Sequence, residues 1–251
     1  MVIQEGLKPP YQNKRKKGRA MATTKILAPD ERFLAYYDKL RDELNTAYTY
    51  YEICKTLGEM RSTRRAEFSE VLIFFSLTMD ATLFATVMSI NRFADSHRDS
   101  LNLDVFFEFI RNNLDLFSAP AYKKRLQDRG MDSEDCEHWV KLHTDITAKM
   151  VDQDKAKIES LPVHNLKVWR NKKLAHIERS LVTTHIDVMK VNPVSIQEID
   201  KIIVTLHGIL DRYRIAYDGA QWILGLPPAK PQIEYIMDAI LSYRQSRKER
   251  K

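Results

Sequence analysis

The stretch Trp169-Arg170-Asn171-Lys172-Lys173-Leu174-Ala175-His176 sets the reading of the whole chain. Leu166, Trp169, Leu174 and Ile177 recur at helical spacing and form an apolar stripe that would anchor the segment. Its polar members are an arginine, an amide beside it and a histidine six positions on. Arginine carries a permanent charge on a planar fork that grips two phosphate oxygens at once. Histidine titrates near neutral pH and moves a proton without a metal. Together they fit chemistry on a phosphodiester.

The bare spacing from Arg to His is common, and the chain contains it three times: Arg92 to His97, Arg170 to His176 and Arg179 to His185. Arg92 and His97 stand in a polar link between apolar runs, and His185 lies in a β-branched segment. Of the three, only Arg170 is followed by an amide, Asn171, and has an apolar helical stripe beneath it. On an ideal helix, residues six apart are rotated by about 240°, so Arg170 and His176 do not share a face. Lys173 and Trp169 lie nearer the face of His176. A distorted turn at the arginine would bring the two groups together, as would a two-fold dimer in which a second copy completes the site.

Working outward, the 251 residues contain only 7 glycines and 9 prolines, and long apolar periodicities dominate. The expected fold is all-α, an up-and-down bundle of long helices large enough to bury a core. The formal charge of +6 resides in the ends. Residues 1–20 carry +5 and residues 244–251 carry +4, which leaves the middle slightly acidic. Nucleic-acid contact by the fold must therefore be local, and Lys167, Lys172, Lys173 and Arg179 are the candidate RNA-binding cations around Arg170. Composition divides the chain into a disordered basic tail over 1–25, a helical domain over 26–225, and a last helix with a basic tail over 226–251.

Cys54 and Cys136 have no metal-like or redox spacing, and the N-terminus has no apolar signal core. A reducing cytoplasm is expected. His138 and His143 are five apart and do not share a helix face, so no metal site and no cofactor are expected. The first long helix starts near Pro29 or Asp30 and runs to about Met60, with Phe33, Leu34, Tyr37, Leu40, Leu44, Ala47, Tyr48, Tyr51 and Leu57 recurring at helical spacing as core positions. A second, over 63–94, is apolar enough from Val71 to Ile90 to raise a membrane span. Asp80 at its centre would cost roughly 2.5 to 3.5 kcal/mol there, so a buried bundle helix is expected, with Asp80 bonded within the core or serving at a groove. Further helices are expected from within Ser100–Asp104 to about Phe117, from Ser118 to Gly130, from Ser133 to about Ser160, from about Pro162 to Ser180, from Ser195 to about Leu224 and from about Gln232 to Arg244. An extended crossover is expected between Leu181 and Val191.

Arg170-Asn171-x4-His176 on a late helix of an all-helical domain resembles the HEPN superfamily, and within it the U-type abortive-infection branch. Asn91-Arg92-Phe93-Ala94-Asp95 followed by Leu101-Asn102-Leu103 resembles the link between the second and third helices of that branch. The likeness covers roughly residues 30–225. It implies a homodimeric, metal-independent endoribonuclease of a phage-defence or toxin-antitoxin system, with a cognate antitoxin or regulator as partner. Arg170 would hold the scissile phosphate, His176 would serve as general acid or base toward the ribose 2′-hydroxyl, and Asn171 would orient one of them. The superfamily also holds non-catalytic modules that bind nucleic acid or nucleotide, and a helical regulatory scaffold is a third alternative. The tyrosine found two residues after the histidine in members modified by a nucleotidyltransferase is Glu178 here, so the resemblance does not extend to that modification.

Overall fold

The computed structural model describes residues 27–95, 97, 99–174, 187–225 and 229–249. Among them every regular element is helical. Helix α1, Pro29–Thr63, is the spine. Proline near its start and Asp30 and Glu31 in its first turn suit a helix N-terminus, where N–H groups lack partners and the dipole favours acids. Its buried stripe, Phe33, Tyr37, Leu40, Leu44, Ala47 and Tyr51, is the one the spacing predicts.

The apolar run expected as one helix over 63–94 is broken at Val71 into α2, Arg65–Glu70, and α3, Leu72–Phe93. Helix α3 lies along α1. It is long and apolar enough to cross a membrane by composition. One face is buried through Phe75, Thr86, Val87, Ile90 and Phe93, while Ile73, Phe74 and Leu77 are 76%, 64% and 63% exposed. The expectation of a buried bundle helix is therefore corrected in part: α3 packs one face in the core and leaves the other uncovered. Asp80 stands on its exposed side and needs no buried partner.

Asn102 caps α4, Leu103–Arg111, by accepting the Val105 N–H at 2.9 Å. A 3₁₀ turn, Leu114–Phe117, leads to α5, Ala119–Asp128, which closes at Gly130 with φ 83°. The single helix expected over 133–160 is two: α6, Ser133–Leu142, and α7, Ala148–Glu159. Tertiary bonds hold the link open. His143 Nε2 donates to the Phe117 carbonyl at 3.0 Å, and Asp145 accepts the Ala119 N–H at 2.8 Å. Both contacts reach across 26 residues, beyond any local propensity.

Helix α8 covers Val163–Trp169 and passes into a π-helical turn, Arg170–Leu174. Residues 175–186, which hold the rest of the expected 162–180 helix and most of the expected crossover, lie outside the described residues. Where the crossover was expected to end, Val188–Val191 forms a short helix, α9. Helix α10, Ile196–Asp218, begins with a Ser195–Glu198 capping box. It ends earlier than expected, at Gly219 with φ 72°, where a Cβ would meet the Tyr122 hydroxyl at 2.6 Å. Helix α11, Ala229–Glu249, is longer than its apolar run and packs on α1 and α2.

The main core joins α1, α3, α4, α7, α8 and α10 around Phe33, Phe106, Leu166, Ile209 and Tyr213. A smaller core of Leu57, Met60, Phe68, Phe75, Ile233 and Met237 fills the other end of α1. It is closed by α2, the start of α3 and α11.

Candidate functional site

Leu166 and Trp169 seat α8 in the main core with at most 4% of their surface exposed. The indole N–H of Trp169 donates to the Asn192 carbonyl at 2.6 Å, and Asn165 donates to the Pro193 carbonyl at 3.1 Å. These two bonds tie α8 to the segment leading into α10. From below, Asn91 of α3 donates to the Leu166 carbonyl at 3.1 Å. That same oxygen accepts the backbone N–H of Arg170. The position of Arg170 is thus fixed from three elements before its side chain does anything.

At Arg170 the backbone widens into the π turn, which packs against α3. Such turns carry i→i+5 bonds, are rare, and recur at functional sites. The widening is a distorted turn at the arginine; His176, the group it would have to meet, lies outside the described residues. Arg170 Nε donates to Asn171 Oδ1 at 2.9 Å. One edge of the guanidinium is thereby steadied by a neutral partner, and among the described residues no acid pairs with it. Arg170 is half-buried, while Asn171 and Lys172 are exposed.

The structure therefore brings Arg170, Asn171 and Lys172 into one turn. Lys167 faces elsewhere. It lines a cleft of about 270 Å³ between α3, α4, α7 and α8 that also holds Asp104, Lys155 and Glu159. Asp104 there pairs with Lys155 at 2.8 Å. His176 and Arg179 lie outside the described residues, and so does the side chain of Lys173.

The rival pair is explained structurally. Arg92 pairs with Glu43 at 2.6 Å, and His97 Nδ1 accepts the Asp99 N–H at 3.3 Å. Two positions escaped the sequence reading: Asn91, present in the quoted phrase without a role, and Asn192, whose carbonyl clamps Trp169. A polar residue among the apolar positions of α3 was the available signal for the first.

The family comparison covers this region of the chain. The profile of the AbiU2 family of HEPN domains matches residues 30–240. The chain belongs to the AbiU2 HEPN family. The AbiU2 match spans the site and continues past residue 225 into α11, beyond where the motif likeness alone was expected to stop. Membership makes the chain a HEPN-type protein of the abortive-infection class with an all-helical fold. Comparison with curated proteins and with solved structures found no match.

Proposed function

We propose that the chain is a metal-independent endoribonuclease of a phage-defence or toxin-antitoxin type system, acting in the cytoplasm as a homodimer on RNA. The observation that carries this reading is the Arg170–Asn171 contact inside the π turn. With Nε held by a neutral amide and no acid paired with Arg170 among the described residues, its terminal nitrogens would grip two non-bridging oxygens of a scissile phosphate. Their charge stabilises the extra negative charge of the pentacoordinate transition state. His176 takes the proton of the ribose 2′-hydroxyl as O2′ attacks phosphorus. The bond from phosphorus to the 5′-oxygen breaks, that oxygen is protonated by the imidazole of a second copy, and a 2′,3′-cyclic phosphate remains. Lys172 and Lys173 add attraction for the flanking phosphates.

The dimer part of the proposal is supported by α3. The helix that holds Asn91 beneath the site also carries the uncovered Ile73, Phe74, Leu77 and Phe84, a face of the kind that marks protein contact. A second copy seated there would complete a composite site.

The test is cleavage of single-stranded RNA by the purified chain in EDTA, beside Arg170→Ala and His176→Ala. Cyclic-phosphate ends from the wild type alone are expected. RNA left intact by a folded, dimeric wild type, yet retained in binding assays, would instead make it a non-catalytic RNA-binding module.

A further inference from the structure

A cavity of about 480 Å³ opens between the α6–α7 link and α10. Its walls include Trp139, Leu142 and Ile215, which are all notably exposed. They also include Tyr122 and His143, whose rings stack on one another with centroids 4.5 Å apart. Two features of α10 facing this space lack an explanation within the fold.

The first is Gly208. Glycine is among the poorest residues inside a helix. Yet a Cβ at Gly208 would meet nothing within 4 Å, and no positive φ requires glycine there. The second is Asp211, whose surface is only 8% exposed. Its Oδ1 accepts the Trp222 N–H at 2.9 Å, and no cation pairs with it among the described residues. Carboxylates buried to this degree ordinarily have a counter-charge.

The nearby cations are committed elsewhere. Arg212 is bound to Asp154, whose second oxygen accepts the Tyr213 hydroxyl. Arg214 is bound to Asp218. His143 directs Nε2 at the Phe117 carbonyl and at Asp145. Asp211 has no cation paired with it among the described residues, in a cavity whose lining also holds Tyr122, Trp139 and Arg212, the last bound to Asp154.

We propose that this cavity binds a small organic cation, an amidinium, guanidinium or amine on a flat apolar body. Asp211 is its counter-ion, and Trp139 with the Tyr122–His143 stack forms the walls. Aromatic faces attract cations through their negative π surface, and a carboxylate bonds the N–H groups directly. Gly208 leaves the room that the apolar body fills.

The experiment is calorimetric titration of the full chain with benzamidine and with benzamide, its neutral counterpart of nearly the same shape. Benzamidine is expected to bind at least about tenfold more tightly. Asp211→Asn keeps an acceptor for the Trp222 N–H but brings no charge, and it should erase that preference. Gly208→Leu places a side chain in the cavity and should abolish binding of both probes. Equal affinity for the two probes, no binding of either, or a preference that survives Asp211→Asn would overturn the proposal. Should Asp211→Asn fail to fold, undiminished benzamidine binding by folded Gly208→Leu would overturn it equally. Neither readout involves RNA, so the outcome is independent of the nuclease.

Discussion

Asn91 Nδ2 donates to the Leu166 carbonyl at 3.1 Å and to the Val87 carbonyl at 2.8 Å, from a residue only 1% exposed. The Leu166 oxygen also accepts the Arg170 N–H, so a buried amide on α3 helps set the first residue of the π turn. Replacing Asn91 by leucine removes two bonds inside the core, where each lost partner costs about 1–3 kcal/mol. Asn91→Leu should lower stability by roughly that amount in urea unfolding. RNA cleavage should fall more than the folded fraction does. Asn91→Asp should be worse, because it sets a carboxylate against two carbonyl oxygens.

Arg170→Lys keeps the charge and loses the fork. Its cleavage rate in EDTA should drop by about 10- to 100-fold, while stability stays within about 0.5 kcal/mol as for other surface changes. Asn171→Ala, which frees Arg170 Nε, should give a smaller loss of the same kind. Equal rates for Arg170→Lys and wild type would exclude bidentate phosphate binding by this residue.

Trp169→Phe retains most of the buried area and deletes the bond to the Asn192 carbonyl. A loss of about 1–2 kcal/mol is expected. Amide hydrogen exchange should quicken first in α8 and around Asn192, ahead of the rest of the main core.

Ile73→Asp with Leu77→Asp changes two side chains that the chain itself leaves uncovered. Thermal stability of the monomer should hardly move. The mass seen by light scattering should fall from dimer to monomer, and cleavage should fall with it. An unchanged mass would mean that the second copy sits elsewhere or is not recruited.

Burial holds Tyr37 and Tyr217 up to a pKa of about 12, with the bond to Asp30 adding to the rise at Tyr217. Burial pushes Tyr51 and Tyr213 higher still, aided by Asp200 and Asp154. An unfolded tyrosine loses its proton near 10. Between pH about 10 and about 12 the unfolded chain thus binds fewer protons than the folded one, and stability falls as pH rises. Below that window the contribution is fully present. Absorbance at 295 nm should show these four of the eleven tyrosines titrating only as the protein unfolds. Ionisation of all eleven near pH 10 in a folded chain would contradict their burial.

Helix positions were legible wherever apolar period and end signals coincided, as in α1 from Pro29 and in α10 from Ser195. The breaks were not. The chain leaves helix at 143–147 because Phe117 and Ala119 supply better partners from a distant turn. Likewise, adjacency in sequence disclosed Arg170 and Asn171 as a pair, but not the π turn that carries them. Neither the Asn91 bond nor the Asn192 clamp has a local pattern, since each joins segments far apart in the chain. The exposed side of α3 was misjudged because hydropathy counts apolar residues without saying which of them the fold covers.

Helix α1 is continuous through two separate cores, and at 35 residues it is about 52 Å long. It works as an axle with a load at each end. The larger load carries Arg170, and the smaller is clasped by α11. Loosening the clasp would bare Leu57, Met60 and Phe75 while the far end kept its shape. The first consequence of damage at the C-terminus would then be a protein that sticks, with its site still assembled.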